Sequence, residues 1–238
     1  MNILDWIYPP TCIACRMKLP INRPAAGKIL LCTSCVGLFQ AVGQPTCVTC
    51  GVSVEDGVKT CAQCLGKSHH FSRNHAAFLY QDVMRDLLHE LKFRNKKQIA
   101  HGLGQLWAAA LKDHPFPEEC CLIPLPMHKK KRRERGFNQA DILAAELSAA
   151  LRLPLSKALT RIQDTPPQSA MHPSLRAENV AGVFALTEKI QPNITYIIVD
   201  DIYTSGASLN ECAKVLRKAG ARQVKGMTLA IVEKKSPA

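Results

Sequence analysis

The chain has 238 residues, of which 47% are hydrophobic, and a formal net charge of +12 at pH 7. This length can bury one sizeable core beside a second, smaller domain. The positive charge favours polyanionic partners such as nucleic acid, anionic lipid or phosphorylated substrates. The first residues have no pattern typical of a secretory signal, and no apolar run approaches the ~18 residues of a membrane span. We therefore expect a cytoplasmic protein without an integral membrane segment.

Four C-x-x-C pairs occupy the first part of the chain. Two such pairs supply the tetrahedral sulfur shell that suits Zn²⁺, and a closed shell of this kind leaves no position for a substrate. Because thiols stay reduced in the cytoplasm, we predict two structural zinc ions in a zinc-ribbon domain over residues 1–70. Pairing in chain order is the simplest arrangement, whereas an interleaved one stays open. The predicted ligands are Cys12, Cys15, Cys32, Cys35, Cys47, Cys50, Cys61 and Cys64.

The remaining residues, 71–238, alternate between strand-like and helix-like segments. Short apolar runs indicate strands, and apolar residues spaced three or four apart indicate helices. This alternation predicts an α/β fold with a mostly parallel sheet, whose ligands bind at the carboxyl ends of the strands. The predicted strands cover residues 75–80, 121–125, 196–199 and 224–232, and the predicted helices cover 83–93, 99–111, 140–151 and 209–219.

Two basic segments stand out, residues 92–97 and residues 129–135. Residues 129–135 carry six cations in seven positions directly after a predicted strand. Gly136 then suits a turn, and either Asn138 or Gln139 can cap the next helix. A solvated surface loop is the simpler interpretation, but the place at a strand end favours contact with an anionic ligand. We therefore predict a ligand-facing basic loop. The candidates for nucleic-acid binding are Lys96, Lys97, Lys129, Lys130, Lys131, Arg132 and Arg133.

The run from Ile197 to Ser208, IIVDDIYTSGAS, is the most informative part of the sequence. Its apolar start predicts a buried parallel strand that leads into Asp200 and Asp201. The small hydroxyl residues and glycine that follow can place backbone N–H groups around a phosphate, and two adjacent carboxylates suit a ribose diol or Mg²⁺. The segment therefore predicts a ribose 5-phosphate site, whereas the simpler interpretation is a strand–turn–helix with two solvated aspartates.

This segment resembles the signature of the type I phosphoribosyltransferases, which bind phosphoribosyl pyrophosphate (PRPP) with Mg²⁺. The resemblance implies that fold, with the two aspartates on the ribose hydroxyls and Arg132, Arg133 and Arg135 facing the pyrophosphate. Residues 160–184 then correspond to the flexible hood of these enzymes. The catalytic candidates are Asp200, Asp201, Arg161 and Arg176, and the loop residues that would bind the 5′-phosphate are Thr204, Ser205, Gly206, Ala207 and Ser208.

The order of the motifs resembles one family more closely. A zinc-ribbon head, LKF, PLP with RGFNQ, RAENVAGVF and VDDIYTSGAS follow one another as in the ComF family of competence proteins, which includes GntX-like members. The resemblance implies PRPP binding, cytoplasmic handling of single-stranded DNA in natural transformation, and DNA-uptake and DNA-processing partners at the inner face of the membrane. The alternative is a salvage phosphoribosyltransferase that transfers ribose 5-phosphate from PRPP to a nucleobase.

Three aromatic residues lie near these motifs. Phe93, Phe137 and Tyr203 would let single-stranded DNA combine stacking with charge. Ser205 and Ser208 depart from the commoner wording of the signature, VDDVxTTGxT, but keep its hydroxyls, and two interpretations are open for Tyr203 at this loop. Its ring either stacks on a base or packs within the protein.

Overall fold

The computed structural model describes residues 10–20, 30–93, 96–164 and 181–233. Its elements begin and end within two residues of the predicted ones, apart from the differences given below. The strands are β1 (Asn74–Leu79), β2 (Cys120–Pro124), β3 (Leu159–Arg161), β4 (Phe184–Leu186), β5 (Thr195–Tyr203) and β6 (Gln223–Ile231). The helices are α1 (Thr33–Val36), α2 (Asp82–Phe93), α3 (Lys97–Ala110), α4 (Lys129–Arg135), α5 (Gln139–Leu151) and α6 (Ala207–Lys218).

The four strands β1, β6, β5 and β2 form one parallel sheet in that order. Strand β2 is buried throughout and β5 is buried over its first five residues, because helices cover both faces of such a sheet. Parallel neighbours need long crossover connections, and helices provide them here. Helices α2 and α3 lie between β1 and β2 in the chain, α5 lies between β2 and β5, and α6 between β5 and β6. The predicted α/β class with a mostly parallel sheet is therefore confirmed.

Strand β5 continues further than the sequence predicts. The prediction ended this strand at Val199, because the apolar run stops where the two carboxylates begin. In the structure Asp200 is in register with Thr228 of β6, and Tyr203 with Ile231. The pairing with β6 therefore holds both aspartates on a strand rather than on a loop.

Two apolar cores cover the two faces of the sheet. The first joins α2, α3 and α5 to the sheet, and it also contains Ile13, Leu19 and Leu31 from the cysteine-rich region. Ile13 packs so closely on Gly102 of α3 that a Cβ added there would lie 2.8 Å from its Cδ1. The second core joins α6 to the sheet and contains Phe71 beside the later cysteines. The cysteine-rich region therefore shares its apolar cores with the sheet domain.

The basic segment forms the short helix α4 and is not the loop that the sequence predicts. Like charges three and four residues apart weaken an isolated helix, which is why the pattern favoured a loop. Here the side chain of His128 accepts a hydrogen bond from the N–H of Lys130, and Gly136 ends the helix in the left-handed region at φ 75°. These two caps stabilise the helix against the repulsion between its like charges.

The two ends of the segment predicted as a hood form strands. Strands β3 and β4 pair antiparallel, with Leu159 opposite Leu186 and Arg161 opposite Phe184. Residues 165–180, which include Arg176, lie outside the described residues. No helix in the described ranges is long and apolar enough to cross a membrane.

Candidate functional site

Two clusters of four cysteine sulfurs lie in the first part of the chain. Within each cluster all four sulfurs lie within 4.8 Å of one another. The Sγ atoms of Cys15 and Cys32 are 3.7 Å apart, and those of Cys50 and Cys61 are 3.6 Å apart. Four sulfurs bound at about 2.3 Å to Zn²⁺ would be separated by ~3.8 Å, so both clusters fit this ion. Of the two pairings that the sequence left open, the structure has the simpler one, in chain order: Cys12, Cys15, Cys32 and Cys35, then Cys47, Cys50, Cys61 and Cys64.

The first cysteine of each cluster is prepared to lose its proton. Burial by itself would raise the pKa of Cys12 and Cys47, but backbone N–H groups donate to both sulfurs and outweigh burial. One of these donors is the N–H of Cys32, 3.4 Å from the sulfur of Cys12, and another is the N–H of Cys61, 3.4 Å from that of Cys47. The pKa of each thiol is lowered to about 6. Since zinc binds thiolates, this environment favours the metal.

The second cluster is tied to the sheet through Asn74 of β1, which is fully buried. Its Nδ2 donates to the carbonyl of Cys50 at 3.0 Å and to Oγ1 of Thr228 at 3.1 Å. Thr228 is the β6 residue in register with Asp200. Through Asn74, two hydrogen bonds therefore link the second ribbon to β6, the strand that pairs with the one carrying the aspartates.

A cleft of about 470 Å³ opens at the carboxyl ends of β2 and β5. Parallel α/β sheets bind their ligands at this edge. The cleft brings together residues from five parts of the chain that are far apart in sequence. Its charged and polar lining residues are Lys92, Lys131, Arg135, Asn138, Gln139, Arg161, Asp200, Asp201, Thr204 and Ser208.

The two aspartates have different environments. Successive strand residues point to opposite faces, and Asp201 meets Lys92 of α2, with Nζ 2.9 Å from Oδ2. Burial would raise the pKa of Asp201, but the charge of Lys92 outweighs it and lowers the pKa. Asp200 also lines a smaller pocket beside the Thr204–Ser208 loop. Burial, and then the charge of Asp201, raise the pKa of Asp200 well above its ordinary value.

Lys92 is a residue that the sequence analysis did not assign to the site. Burial would lower its pKa, but the attraction of Asp201 and Asp200 outweighs burial and raises it. A signal was present in the sequence: Lys92 lies four residues after Leu88, on the helix face that α2 buries. A lysine on an otherwise apolar helix face needs a partner of opposite charge.

A chain of polar contacts continues from Asp201 to the basic helix. A hydrogen bond from the side chain of Gln139 also lowers the pKa of Asp201. Arg135 donates through Nη1 to Oε1 of Gln139 at 2.8 Å. Asn138 caps α5, as the sequence predicts, and its Nδ2 donates to the carbonyl of Leu125 at the end of β2. Helices α4 and α5 are thus fixed at the edge of the cleft.

The predicted loop Thr204–Ser208 consists of the turn Thr204–Gly206 after β5 and the first two residues of α6. Gly206 has φ 74° and directly precedes Ala207, the first residue of α6, whose N–H donates to Oγ of Ser205 at 3.4 Å. A Cβ on Gly206 would lie 2.6 Å from Cζ of Tyr203. Both the backbone conformation and the close approach of this ring therefore require glycine. A helix start of this kind is suited to a phosphate.

The predicted cationic residues divide into two groups. Lys131, Arg135 and Arg161 line the cleft. Of the other two arginines expected at the pyrophosphate, Arg132 is exposed with Nη2 3.6 Å from Asp141, and Arg133 is exposed. The structure thus places one of those three arginines, Arg135, in the cleft.

Of the nucleic-acid candidates, Lys131 lines the cleft, and the others lie outside its lining. Lys130 and Lys131 of α4 have their Nζ atoms 3.9 and 3.8 Å from carboxylate oxygens of Asp164. Nζ of Lys97 is 5.9 Å from the ring centroid of Phe137, which follows α4. Lys96 lies 3.4 Å from Glu90 on α2, and Lys129 is exposed. The start of α3 and helix α4 therefore form one basic edge, defined by residues 96–97 and 129–133.

Two of the three aromatic residues proposed for stacking are buried. Phe137 is 5% exposed and Tyr203 is 7% exposed, so neither ring can accept a base. Tyr203 packs in the second core beside the second cysteine cluster, which settles its two interpretations in favour of packing. The side chain of Phe93 lies outside the described residues. The expectation of stacking is therefore wrong for Phe137 and Tyr203.

Comparison with known proteins agrees with this architecture. The model of the double zinc ribbon domain matches residues 3–65, and that of the phosphoribosyl transferase domain matches residues 134–237. The protein is thus a double zinc ribbon joined to a domain of the phosphoribosyltransferase class. Among its relatives is the competence protein F of Haemophilus influenzae, which is 29% identical over 92% of this chain and 96% of that protein.

Two further relatives are named after DNA use and competence. The DNA utilization protein YhgH of Shigella flexneri is 30% identical over 91% of this chain and 94% of its own length. The competence protein ComFC of Bacillus subtilis is 26% identical over 84% of this chain and 83% of that protein. The chain belongs to the ComF family of competence proteins.

Proposed function

We propose that this protein binds PRPP with Mg²⁺ in its cleft and handles incoming single-stranded DNA in the cytoplasm during natural transformation. The observation that carries the proposal is the convergence at one sheet edge of two carboxylates, a hydroxyl loop at a helix start and three cationic side chains. Separate places for a diol, a phosphate monoester and a diphosphate are what PRPP requires. The names of the relatives supply the connection to competence and DNA use.

The roles in PRPP binding follow from charge and position. Asp200 and Asp201 provide the carboxylate oxygens that suit a ribose diol or Mg²⁺. The loop Thr204–Ser208 and the start of α6 bind the 5′-phosphate. Lys131, Arg135 and Arg161 neutralise the pyrophosphate, with Arg176 as a further candidate from the hood. When bound, Mg²⁺ would supply charge neutralisation at the diphosphate.

The DNA-binding role rests on the basic edge. Its lysines and arginines follow the rim of the cleft, and α4 alone presents exposed cations over two turns. Since the two buried rings are not available for stacking, we propose that phosphate contacts dominate. A strand bound in this way should lose affinity steeply with salt, with a slope of about −0.7 per phosphate contacted. DNA-uptake and DNA-processing proteins at the inner face of the membrane are the proposed partners.

The proposed DNA binding is tested with a double variant on α4 and a matched control variant. We expect Lys129→Gln, Arg133→Gln to weaken binding of fluorescent oligothymidylate, measured by anisotropy, and to flatten its salt dependence. The control Lys59→Gln, Arg222→Gln removes the same charge from exposed positions outside the basic edge, and should behave like the wild type apart from the smaller net charge. Equal affinity and equal salt slope for both pairs would show that α4 does not bind DNA.

The biological role is tested by complementation. A deletion strain would carry either the wild-type gene or the Asp200→Asn, Asp201→Asn double variant, with equal protein levels confirmed. We expect transformation frequency to be restored by the wild type and not by the variant. Full restoration by the variant would make the cleft dispensable for DNA import.

A salvage enzyme is the second candidate function. One observation favours it: Leu125, Pro126 and Met127 give the cleft an apolar wall beside its charged groups, as a nucleobase would need. In that case Mg²⁺·PRPP and a nucleobase give a nucleotide and pyrophosphate, with the cationic side chains stabilising the leaving group. Pyrophosphate release with a single nucleobase, abolished by Asp200→Asn, Asp201→Asn, would establish this activity.

A further inference from the structure

A second pocket, of about 370 Å³, lies beside the N-terminal halves of β1, β5 and β6. Its volume is within the range of about 300–1,000 Å³ that ligand pockets occupy. His75 and Lys225 belong to its sheet side, and the segment after α3 covers it with His114 and Phe116. The PRPP cleft lies at the opposite ends of these parallel strands and shares none of the lining residues. The two pockets are therefore separate.

The charge of this pocket has one sign. Arg73 and Lys225 line it, and none of the described residues that line it is a carboxylate. Arg73 donates through Nη2 to Oγ1 of Thr46 at 3.1 Å, which leaves four of the five guanidinium N–H groups for other acceptors. Two cations without a lining carboxylate make the pocket a place for an anion.

Two imidazole rings line the same pocket as these cations. The ring centroids of His75 and His114 are 4.4 Å apart, and Phe116 meets His114 edge-on at 5.0 Å. Burial, followed by the charges nearby, lowers the pKa of both histidines, to about 4 for His75. Nδ1 of His75 is buried with no hydrogen-bond partner among the described residues. A buried polar atom in this condition indicates a missing partner.

The donor set distinguishes between possible ligands. Two imidazoles alone offer a metal ion only half a tetrahedral shell, and the adjacent Arg73 and Lys225 repel a dication. A phosphate monoester instead gains from both cations and from neutral imidazole N–H groups. Phe116 adds an aromatic surface of the kind on which a base packs.

We propose that this pocket binds a 5′-nucleotide, with Arg73 and Lys225 on the phosphate and Phe116 against the base. The nucleotide is either free or the 5′-terminal nucleotide of a DNA strand, since both present the same phosphate and base. His75 and His114 complete the phosphate site as hydrogen-bond donors. The pocket is independent of PRPP binding, because it uses other residues at the other end of the sheet.

The test uses the zinc-loaded full chain and NMR spectra of the histidine rings at pH 7.5. The signals are assigned with His75→Gln and His114→Gln and titrated with deoxyadenosine 5′-monophosphate. We expect saturable shifts of both rings, and a loss of affinity of about tenfold in Lys225→Gln, as for one charge-assisted hydrogen bond. Arg73→Gln is the second variant, in case Lys225→Gln lowers the melting temperature. The control Lys112→Gln removes an exposed lysine that does not line the pocket and should leave the affinity unchanged.

The outcomes separate the sources of the ligand. Shifts caused by a 5′-phosphorylated oligothymidylate, and not by its 5′-hydroxyl counterpart, would identify a strand end, whereas shifts with the mononucleotide alone would identify a free nucleotide. The proposal would be overturned by unchanged histidine signals. It would also be overturned if deoxyadenosine without phosphate bound equally well, or if inorganic phosphate bound as tightly as the nucleotide.

Discussion

Lys92 Nζ lies 2.9 Å from Oδ2 of Asp201, which joins the last turn of α2 to the strand end that carries both aspartates. The carboxylate is nearly inaccessible to solvent and the lysine is about one-quarter exposed. Asp201 therefore stays ionised and fixed in place. The pKa of Asp200 is raised, and this residue also lines the smaller pocket beside Thr204–Ser208.

Removing Lys92 should therefore destabilise the fold. We expect Lys92→Met to lower the free energy of unfolding by about 1–3 kcal/mol, less than the 3–5 kcal/mol typical of a fully buried pair, because Lys92 keeps some solvent contact. Denaturant unfolding of Lys92→Met, Asp201→Asn and the double variant gives the coupling energy directly. Lys112→Met, an exposed substitution of the same type, is the control. Additive effects of the two changes would contradict the pairing.

Asp200→Asn and Asp201→Asn should change stability in opposite directions at neutral pH. The folded state raises the pKa of Asp200, so its contribution to stability is present below its ordinary value of 3.8 and is lost as the pH rises through the raised value. For Asp201 the lowered pKa gives a contribution that is present above 3.8 and is lost as the pH falls through the folded value.

At pH 7.5 we accordingly expect the melting temperature of Asp200→Asn to exceed that of the wild type, and that of Asp201→Asn to fall below it. The gain in Asp200→Asn should shrink toward zero as the pH falls to the ordinary value of 3.8. The loss in Asp201→Asn should shrink as the pH falls below 3.8 toward the folded pKa of Asp201. Thermal melts of the zinc-loaded proteins from pH 3 to pH 8, in buffer without Mg²⁺, check this. Two variants that shift the melting temperature in the same direction would refute the assignment of the two environments.

Gly206→Ala should damage the phosphate loop beyond the cost of its backbone angle. A non-glycine residue in the left-handed region costs roughly 1–2 kcal/mol, and the ring of Tyr203 stands where the new Cβ would go. Gly57→Ala is a matched control, because Gly57 has φ 83° and nothing within 4 Å of its Cβ position. We expect Gly206→Ala to unfold at clearly lower denaturant concentration than Gly57→Ala. Equal loss of stability would show that the Tyr203 ring imposes no constraint.

Zinc removal should destabilise the whole described chain rather than the ribbons alone. The ribbons share both apolar cores with the sheet domain, and Asn74 binds the second ribbon to β6. Mass spectrometry under native conditions should show two zinc ions per chain. After chelation, we expect the circular dichroism of the parallel sheet to melt at lower temperature in a single transition. An unchanged melting temperature of the sheet domain would show that the shared cores do not couple the two parts.

Much of this architecture could be predicted from local patterns. The C-x-x-C spacing predicted two metal clusters, because both sulfurs of each pair come from one short turn, but it left open which pairs share an ion. The alternation of apolar runs with helical spacing predicted the parallel sheet, and therefore the edge at which Asp200 and Asp201 lie. These features depend on residues that are neighbours in sequence.

The remainder depends on contacts between distant residues. Lys92 and Asp201 are brought together only by the packing of α2 on the sheet, and no local pattern specifies that partner. Tyr203 looked accessible because it precedes a ligand-binding loop, but the second zinc ribbon covers it. The helical form of the basic segment depended on its two caps, His128 and Gly136, against an unfavourable charge pattern.

The central claim is that the cleft binds PRPP through its two aspartates. Calorimetric titration of Mg²⁺·PRPP tests it directly. The three zinc-loaded proteins are the wild type, the double variant Asp200→Asn, Asp201→Asn, and the control Asp86→Asn at an exposed position. We predict saturable binding to the wild type and to the control. The double variant should bind at least about tenfold more weakly, since each lost charge-assisted hydrogen bond removes ~1.5 kcal/mol or more. Equal affinity in all three proteins, or no binding to the wild type, would contradict the account.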